Sequence, residues 1–197
     1  MPDLECSSYL FICMLQERSL QPYTPPLQWL PVINSAAATF KAAWEMGSDN
    51  PEFVAERMIR FMPVALDANA RLGENKRRDL SHLLHRKPSD QLTEPWDAKI
   101  QEAYEATLSY IGSVCIAMNN NDAPGDICRR LVVFPMLVPT GFLDLVEKLR
   151  PRALLILAHY FALLAMLRDF WYIGDTGERE AQAIAGLLSD EWQDSMS

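Results

Sequence analysis

From Ala153 to Leu167 the chain reads ALLILAHYFALLAML, an apolar run broken only by His159 and the hydroxyl of Tyr160. Few folds can accept such a segment. A membrane span needs about 20 apolar residues, and this run is closed by Arg150 and Arg152 on one side and Arg168-Asp169 on the other. A helix in water remains, with Pro151 at a favoured first position. At 100° per residue His159 shares one face with Leu155, Leu163, Met166 and Phe170. Leu154, Leu157, Phe161 and Ala165 make a second face, and Ile156, Tyr160, Leu164 and Trp171 a third. A helix apolar all round has to be enclosed by others, so the run predicts a central buried helix over about 151–172.

The rest of the chain supplies candidates to enclose it. Asp3 can cap a helix reaching about Arg18, which QPYTPP then breaks. Leu30, Ile33, Ala37, Phe40 and Trp44 recur at helical steps, and Val54, Met58, Phe61, Met62 and Ala65 continue the pattern after a Pro-containing turn. ENKRRDLSHLLHRKP is a short basic segment ended by Pro88. Pro95 and Asp97 open a long helix whose stripe is Ile100, Tyr104, Leu108, Ile111, Cys115 and Met118. NNNDAPGD is a loop by its turn chemistry, and the pieces Leu131–Leu137 and Phe142–Leu149 follow. Only Leu131–Phe134 invites a strand reading. After IGDTG, the residues Ala181, Ile184, Ala185, Leu188 and Trp192 form a last amphipathic stretch. The expected fold is all-α, an irregular helical bundle in one domain over 1–197, large enough to fold on its core without staples.

Charge and motif content exclude most chemistry. The net charge is −8, although Arg71–Lys87 carries six Lys/Arg against two acids; nucleic-acid binding needs broader clusters of cations. The four cysteines, at 6, 13, 115 and 128, form no C-x-x-C. Cys6 and Cys13, about 10 Å apart on one helix, are too distant for a disulfide. Together with the absence of a leader pattern in MPDLECSS, this predicts a reducing location, nucleus or cytoplasm. No phosphate-cradling glycine loop or nucleophile elbow occurs, so no catalytic residue and no cofactor is expected. His82 and His85, three apart, lack a third metal ligand. KRR and HRK read first as a solvated face, then as a phosphate-binding or nuclear-import patch. Asp122 and Asp126 are turn formers. His159 has two readings: a core histidine bonded to a carbonyl or tyrosine, or the polar fix-point of an apolar pocket built with Leu163, Met166 and Phe170.

Arg130-Leu131, Phe134-Pro135, Phe142-Leu143, RPRALLILAHYFALLA, FWY and the closing LLSDEW together resemble the C-terminal region of fungal zinc binuclear-cluster transcription factors, nearest the subgroup of the sterol uptake control protein. Pro151, Ala153, Leu154, Leu157, Ala158, Tyr160, Trp171, Gly174 and Trp192 occupy the signature positions. Phe134-Pro135 stands for the family's Trp-Pro, and Trp171-Tyr172 or Phe170-Trp171 for its Trp-Trp. LQPYTPPLQWLPVINSAAATF adds a weaker upstream match. The resemblance implies the second half of an α-helical regulatory region that accepts a hydrophobic ligand such as a sterol, with Gly174–Gly177 as a hinge. Four cysteines cannot build the family's six-cysteine zinc cluster, so direct DNA binding is not expected of this chain. Leu10, Phe11 and Phe40 would then be left as an apolar patch for homo- or hetero-association. The other readings are a module that pairs with full-length regulators and an enzyme on an apolar metabolite with His159 as acid or base.

Overall fold

The computed structural model describes residues 15, 16, 18–27, 73–87 and 94–193. Leu15 and Gln16 are helical; the remainder of the expected first helix, with Leu10 and Phe11, and the helices expected between Leu30 and Ala65 lie outside the described residues. Among those residues every regular element is helical, as the apolar periodicity predicts.

Helix α1 spans Ala98–Asn119. Asp97 caps it, its side chain accepting from the Ile100 amide at 2.8 Å, which satisfies one of the donors a helix start leaves free. Of its predicted stripe, Tyr104, Leu108 and Ile111 are buried, while Ile100, Cys115 and Met118 are partly covered. Asn121, in the left-handed region at φ 57°, turns the chain. Helix α2 (Pro124–Leu137) then absorbs the segment that invited a strand reading. Leu131, Val132, Val133 and Phe134 are all buried, and a continuously apolar stretch has no period to tell buried helix from buried strand.

Helix α3 (Thr140–Glu147) buries Phe142, Leu145 and Val146. Leu149 takes a left-handed φ of 52°, and α4 begins at Pro151. It touches each of the other five α-helices and buries Arg152 to Ala158 without a break. The expected axle is therefore present, but shorter. Regular α4 is Pro151–Ala165, not 151–172. Past Ala165 the amides bond three residues back, Met166 to the Leu163 carbonyl and Leu167 to that of Leu164, so the helix tightens and unwinds into successive turns. Leu167, Tyr172 and Ile173 keep covering the core from those turns, and Gly174 at φ 51° redirects the chain.

Helix α5 (Thr176–Ala185) lies directly on α4. A side chain at Gly177 would overlap the Ala165 backbone nitrogen and come 2.6 Å from the Phe161 carbonyl oxygen. Glycine is there for close approach between helices, and Gly177 is a packing contact in the stretch read as a hinge. The short turn α6 (Asp190–Gln193) follows. The basic segment forms two 3-10 helices, Glu74–Lys76 and Arg78–Leu84, laid across α1. Its seat is Gly112, where a side chain would collide with the Lys76 carbonyl.

Candidate functional site

The four residues expected to meet a ligand sit where α4 emerges from its cover. His159, Leu163 and Met166 follow helical spacing with Ala162 between them. His159 and Leu163 are half-buried and Ala162 is exposed, whereas Met166 is 67% exposed. Phe170 lies in the turns beyond α4, half-buried, its ring centroid 5.7 Å from that of Tyr172. Next to it Trp171 is 81% exposed. Leu155, which shares the His159 face by spacing, is instead fully enclosed.

His159 makes the bond that a core histidine makes. Its Nδ1 donates to the Leu155 carbonyl oxygen at 2.9 Å, which leaves the lone pair of the neutral ring on Nε2. Burial holds its pKa below the usual histidine value, against the pull of the Leu155 bond and with a further push from nearby His82. His82 itself points Nδ1 at the Asp79 carbonyl, 3.1 Å away. Among the described residues, no group of three or more His, Cys, Asp or Glu could hold a metal ion, and no helix is long and apolar enough to cross a membrane.

Among the described residues the largest fully buried side chain is a charged one that sequence reasoning missed. Arg152 stands at the second position of α4, 1% exposed, where it reads only as the charge that closes an apolar run. Its Nε donates to Glu94 Oε2 at 2.9 Å, and Tyr104 donates its hydroxyl to Glu94 Oε1 at 3.2 Å. A second guanidinium nitrogen donates to the Leu83 carbonyl and, at 3.1 Å, to that of His85. The rings of Trp96 and Trp192 lie 5.4 and 5.1 Å from the guanidinium carbon. One cation thus ties α4 to the 3-10 segment, to the entry of α1 and to α6. The partner Glu94 is far away in sequence, and no local pattern announces it.

A second clamp closes the other side. Arg18 meets Glu180 of α5 through two bonds, at 2.5 and 2.7 Å, and Glu180 is 1% exposed. Arg179 donates to the carbonyls of Gln16 and Arg18 at 2.6 and 3.2 Å. Gln16, Arg18 and the stretch that follows to Tyr23 are held on α5 in this way, and Tyr23 stacks beneath Arg18.

Tyrosines repair the interior. Pro135 has no N–H to give the Leu131 carbonyl four residues back, and Tyr160 of α4 supplies the missing donor at 3.2 Å. Its ring stacks on Phe134 at 4.1 Å. Tyr110 caps the adjacent Arg130 carbonyl at 2.7 Å. Burial raises the Cys128 thiol pKa, opposed by the Tyr172 hydroxyl 3.0 Å from its sulfur. Such a thiol is a packing group rather than a nucleophile.

Comparison with known proteins adds a direction. The chain is 33% identical over 150 residues to the Zn(2)-C6 fungal-type transcription factor afumD of Aspergillus fumigatus, a match that takes in 75% of this chain and 37% of that protein. It is 25% identical over 168 residues to a Zn(2)-C6 fungal-type transcription factor of Gibberella zeae, taking in 84% of this chain and 32% of that protein. The chain thus spans about a third of the length of the curated relatives it matches. No family model and no solved structure matches it. The likeness to fungal Zn(2)-C6 transcription factors expected from the C-terminal signature is therefore borne out.

Proposed function

We propose that this chain is part of the regulatory region of a fungal zinc binuclear-cluster transcription factor, one helical domain that acts without catalysis and leaves DNA recognition to residues other than these. The observation that carries the reading is the match to two such factors across most of the chain. Control of that kind needs an effector with different affinities for two states. The place for it is the opening end of α4, where His159, Leu163, Met166 and Phe170 offer apolar surface around one neutral ring nitrogen. A hydrophobic small molecule, a sterol in the subgroup the sequence resembles, suits that mixture, and the nucleus is where such control operates.

The test is thermal unfolding with ergosterol, cholesterol and unrelated lipophiles. A ligand at about a hundred times its Kd stabilises by about 2.7 kcal/mol, a readily seen shift in Tm, and Met166→Glu should remove it. No shift with any lipophile refutes ligand sensing. A second reading has its own support in Met166 at 67% and Trp171 at 81% exposure. Large apolar side chains left in water mark surfaces for another protein, and a full-length regulator is the partner this implies. Co-purification with such a regulator, lost in Trp171→Glu, would select this reading; a monomer that ignores the regulator would remove it.

A further inference from the structure

We propose that Ser81 is a phosphorylation site for a protein-serine kinase that selects basic residues ahead of its acceptor. The proposal stands apart from the regulatory reading above. Lys76, Arg77 and Arg78 precede Ser81 by five, four and three positions, with Asp79 the one acid among them. Kinases of this class read such cations with carboxylates in the substrate groove, and arginine pairs with a carboxylate through two parallel bonds. Ser81 is exposed, as are Arg78 and His82. Its hydroxyl is engaged only locally, donating to the Arg78 carbonyl at 2.7 Å.

The segment can also reach the extended form a kinase groove requires. It is a 3-10 helix of seven residues, longer than that geometry usually sustains. Leu83 is its one buried residue, with Leu80 and Leu84 partly covered against the core. Arg152 holds the Leu83 carbonyl and Glu105 holds Arg77, so the part that has to be drawn out is the exposed turn from Arg78 to His82. In the transfer, Ser81 Oγ attacks the γ-phosphorus of a nucleoside triphosphate. The new O–P bond forms as the bond to the bridging oxygen breaks, the nucleoside diphosphate leaves, and the hydroxyl proton passes to the catalytic aspartate of the kinase. The product places about −1.5 to −2 charge on an otherwise basic strip. Side chains three apart eclipse in a 3-10 helix, so the phosphate stands over Arg78 with His82 alongside.

The experiment uses the native full chain, the catalytic subunit of the cyclic-AMP-dependent protein kinase and MgATP, with phosphorylated positions assigned by tandem mass spectrometry. Ser89 also follows an arginine by three positions and lies outside the described residues, so Ser89→Ala is the background. Phosphate at Ser81 is expected, absent in Ser81→Ala. Arg78→Gln should slow it about tenfold, one charged contact being worth roughly that factor. The melting temperature of Arg78→Gln, measured beside the parent, shows that its fold is unchanged. No phosphate at Ser81, phosphate only in a heat-denatured sample, or a rate unaltered by Arg78→Gln each overturns the proposal.

Discussion

Replacing Arg152 with methionine removes the buried cation at the first turn of α4. The cost follows from what is left behind. Glu94, 5% exposed, keeps one hydroxyl bond from Tyr104 and loses its charged partner, and the carbonyls of Leu83 and His85 lose their shared donor. Breaking a buried pair on one side costs about 3–5 kcal/mol, a large part of the about 5–15 kcal/mol that holds a domain folded. Glu94→Leu alone should also destabilise, but by less, because the guanidinium keeps the carbonyls of Leu83 and His85. The double variant Glu94→Leu/Arg152→Met should be less destabilised than the two singles added together by about 1–3 kcal/mol, because no buried carboxylate is then left without its cation. The assay is urea unfolding at neutral pH, followed by far-UV circular dichroism and tryptophan fluorescence. Since Trp96 and Trp192 sit on Arg152, emission should also change in the native baseline. A shielded pair is little screened, so the single-variant costs should hardly move with salt. A loss below about 1 kcal/mol for Arg152→Met, or strict additivity in the cycle, would refute a buried clamp.

Tyr160→Phe should cost about 1–3 kcal/mol in the same assay, the penalty for leaving the Leu131 carbonyl without the donor that Pro135 denies it; no measurable loss would mean that the proline-broken turn is satisfied in another way. Gly177→Ala should destabilise by about 1–3 kcal/mol, because the added methyl meets α4 backbone rather than a side chain that can move aside, whereas Gly125→Ala, with open space around it, should be close to neutral. His159 has a folded-state pKa below its usual 6.5, so the unfolded chain takes up the proton first. Its contribution is fully present above pH 6.5 and is lost as pH falls from there through the lower folded value, at about 1.4 kcal/mol for each unit of displacement. Stability measured from pH 7.5 down to pH 5 should fall less steeply in His159→Gln, and identical slopes would exclude the ring as the titrating group.

What could be read in the sequence was periodic or local. The Asp97 cap, the α1 stripe and the apolar run of α4 each have their cause within a turn or two of chain, where side-chain spacing and hydrogen-bonding chemistry decide the conformation. The end of α4 was read too late because the wheel that puts Phe170 and Trp171 on faces of the run assumes that the helix continues. Apolarity continues past Ala165, but the hydrogen-bond register does not. The clamps were illegible for another reason. Arg152 with Glu94 and Arg18 with Glu180 join positions 58 and 162 residues apart, and a charged residue beside an apolar run looks the same whether it ends in solvent or is enclosed.

That distinction bears on the candidate site. The half of α4 carrying Arg152 is fixed by charge, by aromatic rings and by the carbonyls it gathers, so an effector there would have to displace bonds already made. At the other end His159 satisfies itself within its own helix, through Leu155, and Leu163, Met166 and Phe170 present apolar side chains, their polar bonds being those of the backbone. Among the described residues, this end of α4 combines apolar area with an imidazole whose Nδ1 is bonded within the helix and whose Nε2 has no bond to protein. An effector that orders the turns from Met166 to Gly174 would act directly on α5, because Gly177 seats that helix against Phe161 and Ala165, and α5 in turn holds Arg18 through Glu180. Under the proposed reading, a ligand at the opening end of α4 would be linked to the segment 18–27 through α5, by the Gly177 contact with Ala165 and the Glu180 pair with Arg18.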